Sequence, residues 1–309
     1  MSKYRILSLD GGGIKGIITA SLLHRLNTDP RTAGFLDRVD LIAGTSTGGL
    51  LALAIAHGLT PAEMRDIYAK EGAFIFHETL IHDIESLWRV VGAGYPDKNL
   101  ERVLIGIFGS TRLHQLRKQI LVTAFDLDNG SPDPHKRTWK PKIFHNFPGG
   151  DSDGDQLAYK VGLFTSAAPT YFPTYEGYVD GGVFASNPSM CALAQSQDLR
   201  FFESPELDSV VLLSLGTGTS QEYISGPHHN WGYAQWVRPI LNVMLDGVAG
   251  IADYQCRQIL KENYFRLAPA FPHDVSIPMD AADKIPYMLG FAEEVDITDS
   301  VRWLERNWI

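Results

Sequence analysis

The stretch VDLIAGTSTGGLLALAIAHG, residues 39–58, predicts a buried strand that turns abruptly into a helix. The apolar run Val39–Ala43 is typical of a strand covered on both faces. The turn GTSTG, residues 44–48, follows it and leads into an Ala- and Leu-rich helix. Strand, tight turn and helix form the context of a nucleophile elbow, in which small neighbours expose a strained serine, here Ser46. A serine that only caps the helix is the alternative interpretation.

Short apolar runs alternate with helical patterns along the whole chain, and this alternation predicts an α/β fold. We expect a largely parallel sheet with helices on both faces, in a single domain over residues 1–309, because no segment resembles a linker. The predicted strands are Tyr4–Leu9, Val39–Ala43, Gln119–Ala124, Lys142–Asn146, Gly177–Val179, Ser209–Ser214 and Tyr264–Leu267. The predicted helices are Ile14–Asn27, Gly48–His57, Pro61–Gly72, Asn99–Phe108, Gln156–Ala167, Pro188–Gln197, Tyr233–Gln258 (broken near Gly247–Gly250) and Asp299–Glu305.

Composition favours an ordinary globular protein: 44% of the 309 residues are hydrophobic and 20% are charged. A formal net charge of −9 argues against a nucleic-acid partner. Cys191 and Cys256 stand in apolar, helix-like stretches and are expected to be buried free thiols. No apolar run is long enough for a membrane span, and residues 1–10 lack the apolar core of a signal peptide. A cytoplasmic location, with peripheral membrane contact possible, is therefore expected.

The stretch LSLDGGGIKG, residues 7–16, has the glycine spacing of a dinucleotide-binding turn. Such a site also needs an acidic residue at the end of the second strand, and that strand ends in glycine, threonine and serine instead. Asp40 stands at its beginning, and Asp10 directly precedes the glycines. The dinucleotide interpretation is weakened. Uncovered amides followed by a helix N-terminus suit any developing anion, including the oxyanion of acyl transfer.

A nucleophilic serine needs a base, and Asp180 is the strongest candidate. It ends a short predicted strand in YVDGG, residues 178–182, where two glycines permit close backbone approach. A histidine base stays open, with His228, His229 and His273 among the candidates. None of the histidines, however, stands in a glycine-rich turn or at a strand end.

With these motifs in view, the chain resembles the patatin-like lipid acyl hydrolases. The resemblance covers residues 4–218, whereas 219–309 carries no recognisable motif and is expected to be a C-terminal helical extension of the same domain. The matching stretches are DGGGIKG (10–16), GTSTGG (44–49), TAFDL (123–127), SAAPTYFP (166–173), DGG (180–182), FASNP (184–188) and SLGTG (214–218).

The resemblance implies a three-layer α/β/α fold and hydrolysis of fatty-acyl esters of lipids, without a metal; we expect no cofactor. It implies a dyad of Ser46 and Asp180, with an acyl-enzyme intermediate. It also implies that the amides of three glycines, Gly11, Gly12 and Gly13, form the oxyanion hole. Supporting roles fall to Lys15, Thr47, Gly48 and Gly181; the family often has arginine where Lys15 stands.

The implied partner is a lipid substrate, with transient contact to a membrane or micelle surface; the oligomeric state is not predicted. Residues 72–96 and 231–245 carry apolar residues at helical spacing, which is compatible with a lid or interface helix but also with core packing. Two other functions stay open: an acyltransferase that uses the same acyl-enzyme, and a non-catalytic lipid-binding module.

Overall fold

The computed structural model describes residues 3–76, 94–200, 204–221, 223–225, 231–236 and 239–309. Within these ranges seven strands form one sheet, in the order β4-β3-β2-β1-β6-β7, with β5 also paired to β3. The strands are β1 (Tyr4–Leu9), β2 (Leu41–Thr45), β3 (Gln119–Asp126), β4 (Lys140–His145), β5 (Tyr178–Asp180), β6 (Val210–Leu215) and β7 (Tyr264–Leu267).

The five strands β3, β2, β1, β6 and β7 run parallel, and β4 and β5 are antiparallel to β3. β2 and β6 pair with opposite sides of β1, so the chain first extends the sheet on one side of β1 and later returns to extend it on the other, which reverses the strand order. The carboxyl ends of the strands on either side of such a reversal frame a crevice, where ligands bind in open α/β sheets. In this chain the glycine stretch follows β1 and Ser46 follows β2, so both candidate motifs lie at that edge.

Helices cover both faces of the sheet. One apolar core packs the sheet against α1 to α5, α10 and α11, and a second packs it against α7 and α9. The helices are α1 (Gly16–Thr28), α2 (Thr47–His57), α3 (Pro61–Ile75), α4 (Asp97–Phe108), α5 (Ala158–Ser166), α6 (Gly182–Ala185), α7 (Ser189–Ser196), α8 (Tyr233–Trp236), α9 (Pro239–Leu260), α10 (Ile285–Glu294) and α11 (Thr298–Asn307).

Burial on both faces explains why the central strands are continuous apolar runs. In β1, Ile6 belongs to one core and its neighbour Leu7 to the other, and both are fully buried. Side chains alternate between the faces of a strand, so each must be apolar when both faces are covered. The predicted α/β fold, with a largely parallel sheet between helical layers, is confirmed.

Two helical predictions differ from the structure. The helix predicted over 233–258 appears as α8 and α9, and residues 237–238 between them lie outside the described part of the chain. The predicted break near Gly247–Gly250 is wrong, because α9 continues through both glycines. The sequence analysis also missed α10, whose buried Ile285, Met288 and Ala292 stand at helical spacing. No described helix is both long enough and apolar enough to cross a membrane.

The segment after residue 219 contains helices and also supplies β7, the strand predicted over Tyr264–Leu267, at the edge of the sheet beside β6. In α9, the buried residues Ala252, Cys256 and Leu260 all lie in its carboxyl-terminal half. The amino-terminal half therefore packs less deeply against the rest of the molecule. Cys256 is buried and Cys191 is half-buried, and both are free thiols.

Candidate active site

Ser46 lies at the sharp turn between β2 and α2, with φ 54° and ψ −126°. An L-residue rarely adopts a positive φ, and such strain persists where the surroundings enforce it. The Ser46 amide donates to Thr165 Oγ1 at 2.7 Å, which helps to fix the turn. Gly44 and Gly48 allow it to close, since a Cβ on Gly44 would lie 2.2 Å from the Gly48 carbonyl oxygen. The predicted nucleophile-elbow geometry is thus present at Ser46.

Asp180 ends β5 and is 5% exposed. Its Oδ1 accepts a hydrogen bond from the Gly182 amide at 2.7 Å. Burial raises the pKa of Asp180 to about 6, against the opposing effects of the nearby Ser46 hydroxyl and the Gly182 amide, which favour the ionised carboxylate. Ser46 and Asp180 line the same cavity, so the structure brings the two side chains together although they stand 134 positions apart in the chain (180 − 46).

The glycine loop, residues 11–13, lies against Ser46, since a Cβ on Gly11 would be 3.4 Å from the Ser46 Cβ. Its three amides are not equivalent. The Gly11 amide donates to the Ser186 carbonyl at 2.9 Å. Within the described part of the chain, the Gly12 and Gly13 amides donate to no protein acceptor. These two amides are therefore available to an anion beside Ser46.

The four supporting residues occupy different positions around this centre. Lys15 lines the polar cavity in front of Ser46. Thr47 directly follows Ser46, and its hydroxyl is hydrogen-bonded to the Tyr68 hydroxyl. Gly48 and Gly181 permit close packing: an added Cβ would lie 2.1 Å from the Leu9 carbonyl oxygen and 2.2 Å from Thr123 Oγ1, respectively.

An ion pair that the sequence analysis missed anchors the start of the glycine loop. Arg266 on β7 donates from its two Nη atoms to the Asp10 carboxylate at 2.6 and 3.2 Å, and also to Ser214 Oγ at 2.7 Å. Asp10 is buried, and Arg266 neutralises its charge inside the protein. The arginine in the strand YFRL, which is otherwise apolar and aromatic, was the available indication of a buried acidic partner.

Replacing Arg266 by methionine is expected to lower the free energy of unfolding by about 3–5 kcal/mol, because Asp10 would keep a buried charge without its partner. Urea unfolding measures the change. Arg257→Met is the matched control, since Arg257 pairs with Asp253 at the surface and its loss should cost about 1 kcal/mol or less. An equal effect of the two substitutions would contradict this assignment.

Two cavities of opposite character meet at Ser46. The first has a volume of about 320 Å³ and is lined by polar groups that include Asp180, Lys15 and Thr217. The inner face of α9 forms its wall through Leu241, Leu245 and Ala249. The second is an apolar cavity of about 60 Å³ that also has Ser46 in its lining, together with residues of α2 and α3. An ester bound at Ser46 would have a polar and an apolar side available.

No described histidine lines either cavity. His273 is exposed, and His228 and His229 lie outside the described residues. The lid segment predicted over 72–96 falls mostly on residues 77–93, also outside the described part. No group of three or more potential metal ligands is found in the part of the chain that the structure describes.

Residues 7–193 of the chain match the family model described as patatin-like phospholipase. The chain belongs to this family. The matched segment contains Ser46, Asp180 and the glycine loop, but neither Arg266 nor α9.

The matches to related proteins cover most of this chain. It is 28% identical over 292 residues to a Pseudomonas aeruginosa protein named cGAMP-activated phospholipase, covering 91% of this chain and 83% of that protein. It is 32% identical over 321 residues to patatin-04/09 of Solanum tuberosum, covering 90% and 79% respectively. Among solved structures, VipD from Legionella pneumophila matches 94% of this chain and 67% of its own, at 12% identity and a TM-score of 0.39.

Proposed function

We propose that this protein hydrolyses fatty-acyl esters of lipids through a dyad of Ser46 and Asp180, as a phospholipase A or lysophospholipase type of enzyme. The observation that carries the proposal is that the strained Ser46 and the buried Asp180 line the same cavity, with the Ser46 hydroxyl near enough to favour the ionised Asp180 carboxylate. Membership of the patatin-like phospholipase family supports hydrolysis of lipid esters as the reaction class.

In the first step, Ser46 Oγ attacks the ester carbonyl carbon while Asp180 accepts the hydroxyl proton. The resulting oxyanion is stabilised by backbone amides, and Gly12 and Gly13 have theirs available. Gly11 lies beside Ser46, but its own amide is already bonded to the Ser186 carbonyl and is not available to the oxyanion. The tetrahedral intermediate then collapses, the C–O bond to the alcohol breaks, and Asp180 returns the proton to the leaving alcohol.

In the second step, water attacks the acyl-serine while Asp180 accepts a proton from it. Collapse of this intermediate releases the fatty acid and returns the proton to Ser46. An ordinary aspartate is a weak base for a serine hydroxyl, but burial raises the pKa of Asp180 to about 6 and so strengthens it. The carboxylate nevertheless stays ionised near neutral pH, as a general base requires.

Covalent labelling tests this proposal. A fluorophosphonate probe is expected to modify Ser46, and the rate of labelling is expected to fall as the pH decreases through about 6, where Asp180 becomes protonated. Peptide mass spectrometry locates the label, and rates are followed from pH 4 to 9. A non-catalytic lipid-binding module would leave Ser46 unlabelled at every pH, which would contradict the proposal.

We propose that contact with a lipid surface occurs through the outer stripe of α9, the exposed side chains opposite its cavity-lining face. The stripe carries no charged residue and consists of Ile240, Val243, Met244, Ile251 and Tyr254. These residues recur at the spacing of one helix face. Because the inner face of the same helix lines the cavity at Ser46, a lipid surface on the stripe would lie about one helix diameter from the site. An uncharged stripe on an acidic protein favours a zwitterionic surface.

The double substitution Val243→Asp and Met244→Asp is expected to weaken binding to phosphatidylcholine vesicles by about tenfold, since charge replaces apolar contact. Vesicle flotation measures binding. Ile105→Asp is the matched control, because Ile105 is 45% exposed on α4, in the helical layer on the opposite face of the sheet. Unchanged flotation would contradict the proposal, as would a lipid-free dimer dissociated by the double substitution, which would assign the stripe to a second copy.

A further inference from the structure

A second apolar cavity lies next to the apolar cavity at Ser46. It also has a volume of about 60 Å³ and lies between α2, α3 and α4. The two cavities share four lining residues, Leu50, Tyr68, Ile75 and Leu100, so they are adjacent. We call the cavity at Ser46 the outer cavity, its neighbour the inner cavity, and the two together the apolar channel.

The chemistry of the inner cavity is that of hydrocarbon. Its lining contains no charged residue among the residues described, and its one hydroxyl, that of Tyr68, is already bonded to Thr47. The remaining lining residues are all hydrophobic and include Leu51, Ala54, Met64, Leu104 and Phe108. A cavity of this composition gives a polar group no partner, whereas it accommodates an alkyl chain.

The outer cavity has one polar feature near Ser46. The Ser166 hydroxyl is buried, lines this cavity and has no hydrogen-bond partner among the described residues. A buried hydroxyl without a partner is costly, so a ligand that brings an oxygen atom to this position would be favoured. An ester group near Ser46, with its alkyl chain directed inward, has this combination of atoms.

The channel and the polar cavity meet at Ser46 but are lined by different elements, the channel by α2, α3 and α4 and the polar cavity by α9 and residues 216–220, and this arrangement sets the orientation of an ester. The polar cavity, which Lys15 lines, suits the alcohol portion of the lipid. The channel suits the acyl portion. The inner cavity lies beyond the residues that both parts share, so only the distal part of an acyl chain would reach it.

We propose that this channel binds one unbranched fatty-acyl chain and that the inner cavity sets the preferred chain length. The inference rests on the proposed function for the orientation of the ester, but the channel itself is a binding site defined by its own lining. Ala54 and Leu104 are among the residues that line the inner cavity and not the outer one, so substitutions at these positions change the inner cavity alone.

The test changes the inner cavity in both directions. Ala54→Leu should fill it, and Leu104→Ala should enlarge it. The measurement is the ratio of kcat/KM for p-nitrophenyl palmitate to that for p-nitrophenyl butyrate, in the same micelles. We expect Ala54→Leu to lower this ratio by about tenfold and Leu104→Ala to raise it by about threefold, as pocket contacts with methylene groups discriminate on this scale. Thermal unfolding verifies that each variant is folded.

Ile105→Ala is the control, because Ile105 is adjacent to Leu104 on α4 but lines neither part of the channel. Its ratio should equal that of the wild type. Ratios for both Ala54→Leu and Leu104→Ala within twofold of the wild type, in folded proteins, would overturn the proposal.

Failure of the proposed function would be recognised separately, because no ester of any chain length would then be hydrolysed. Binding tests the channel in that case. In a Ser46→Ala background, palmitate binding measured by calorimetry is expected to be about tenfold weaker after Ala54→Leu and unchanged after Ile105→Ala. Equal palmitate affinity with and without Ala54→Leu would overturn the channel whatever the activity.

Discussion

Replacing Ser46 by alanine is expected to lower kcat for ester hydrolysis by about 10⁴-fold or more, because no nucleophile remains to form the acyl-enzyme. The fold should be unaffected. The contact that fixes the turn is made by the backbone amide with Thr165, and alanine retains this amide. Alanine also meets the same backbone strain as serine at this positive φ. Steady-state hydrolysis and thermal unfolding measure the two properties.

Ser196→Ala is the matched control, since Ser196 is a buried serine on α7, outside the cavities at Ser46. It should hydrolyse esters at the wild-type rate. Wild-type turnover in a folded Ser46→Ala variant would end the proposal of a serine nucleophile. A variant that fails to fold is distinguished by its unfolding profile. In that case, fluorophosphonate labelling of the wild type decides whether Ser46 is the nucleophile.

Replacing Asp180 by asparagine is expected to lower kcat by about 10³-fold, within the range for loss of a general base. Asparagine has nearly the same shape and can still accept the hydrogen bond from the Gly182 amide, so the geometry should persist. It cannot accept a proton from Ser46. Steady-state hydrolysis and its pH dependence provide the measurement, and near-wild-type turnover would exclude the dyad.

The same substitution should stabilise the fold at alkaline pH. The folded pKa of Asp180, about 6, is above its unfolded value of 3.8, so folding favours the protonated form. This contribution is fully present below pH 3.8 and is lost as the pH rises through about 6, where a charge must stay buried. Asp180→Asn removes that charge and is expected to raise stability by at most roughly 3 kcal/mol at pH 8, with little change at pH 4. An aspartate that only supports structure would show the opposite sign.

The sequence predicted the central motifs because their geometry is local. Ser46 needs only a strand before it, a helix after it and small neighbours, and all of these lie within a few residues. The α/β fold follows from the alternation of apolar runs and helical patterns. Asp180 could be predicted as the candidate base from the two glycines that follow it. Its position beside Ser46, however, depends on the pairing of β5 with β3.

The ion pair of Asp10 and Arg266 could not be predicted in the same way. It requires β7 to lie beside β6, and β6 beside β1, and strand order is a property of the whole sheet. The channel could not be predicted from the sequence either. Leu100 and Leu104 stand at the spacing of a core-facing helix, and cavity-lining and core-filling residues have the same pattern in a sequence.

The position of β6 determines how this protein can be divided. It is hydrogen-bonded to β1 on one side and β7 on the other, yet both β6 and β7 follow the segment matched by the family model. A fragment that stopped at residue 193 would leave β1 as an open edge, able to pair with foreign strands. Asp10 would also lose its countercharge. We therefore expect a fragment cut at that boundary to aggregate, and we do not expect it to act as a smaller esterase.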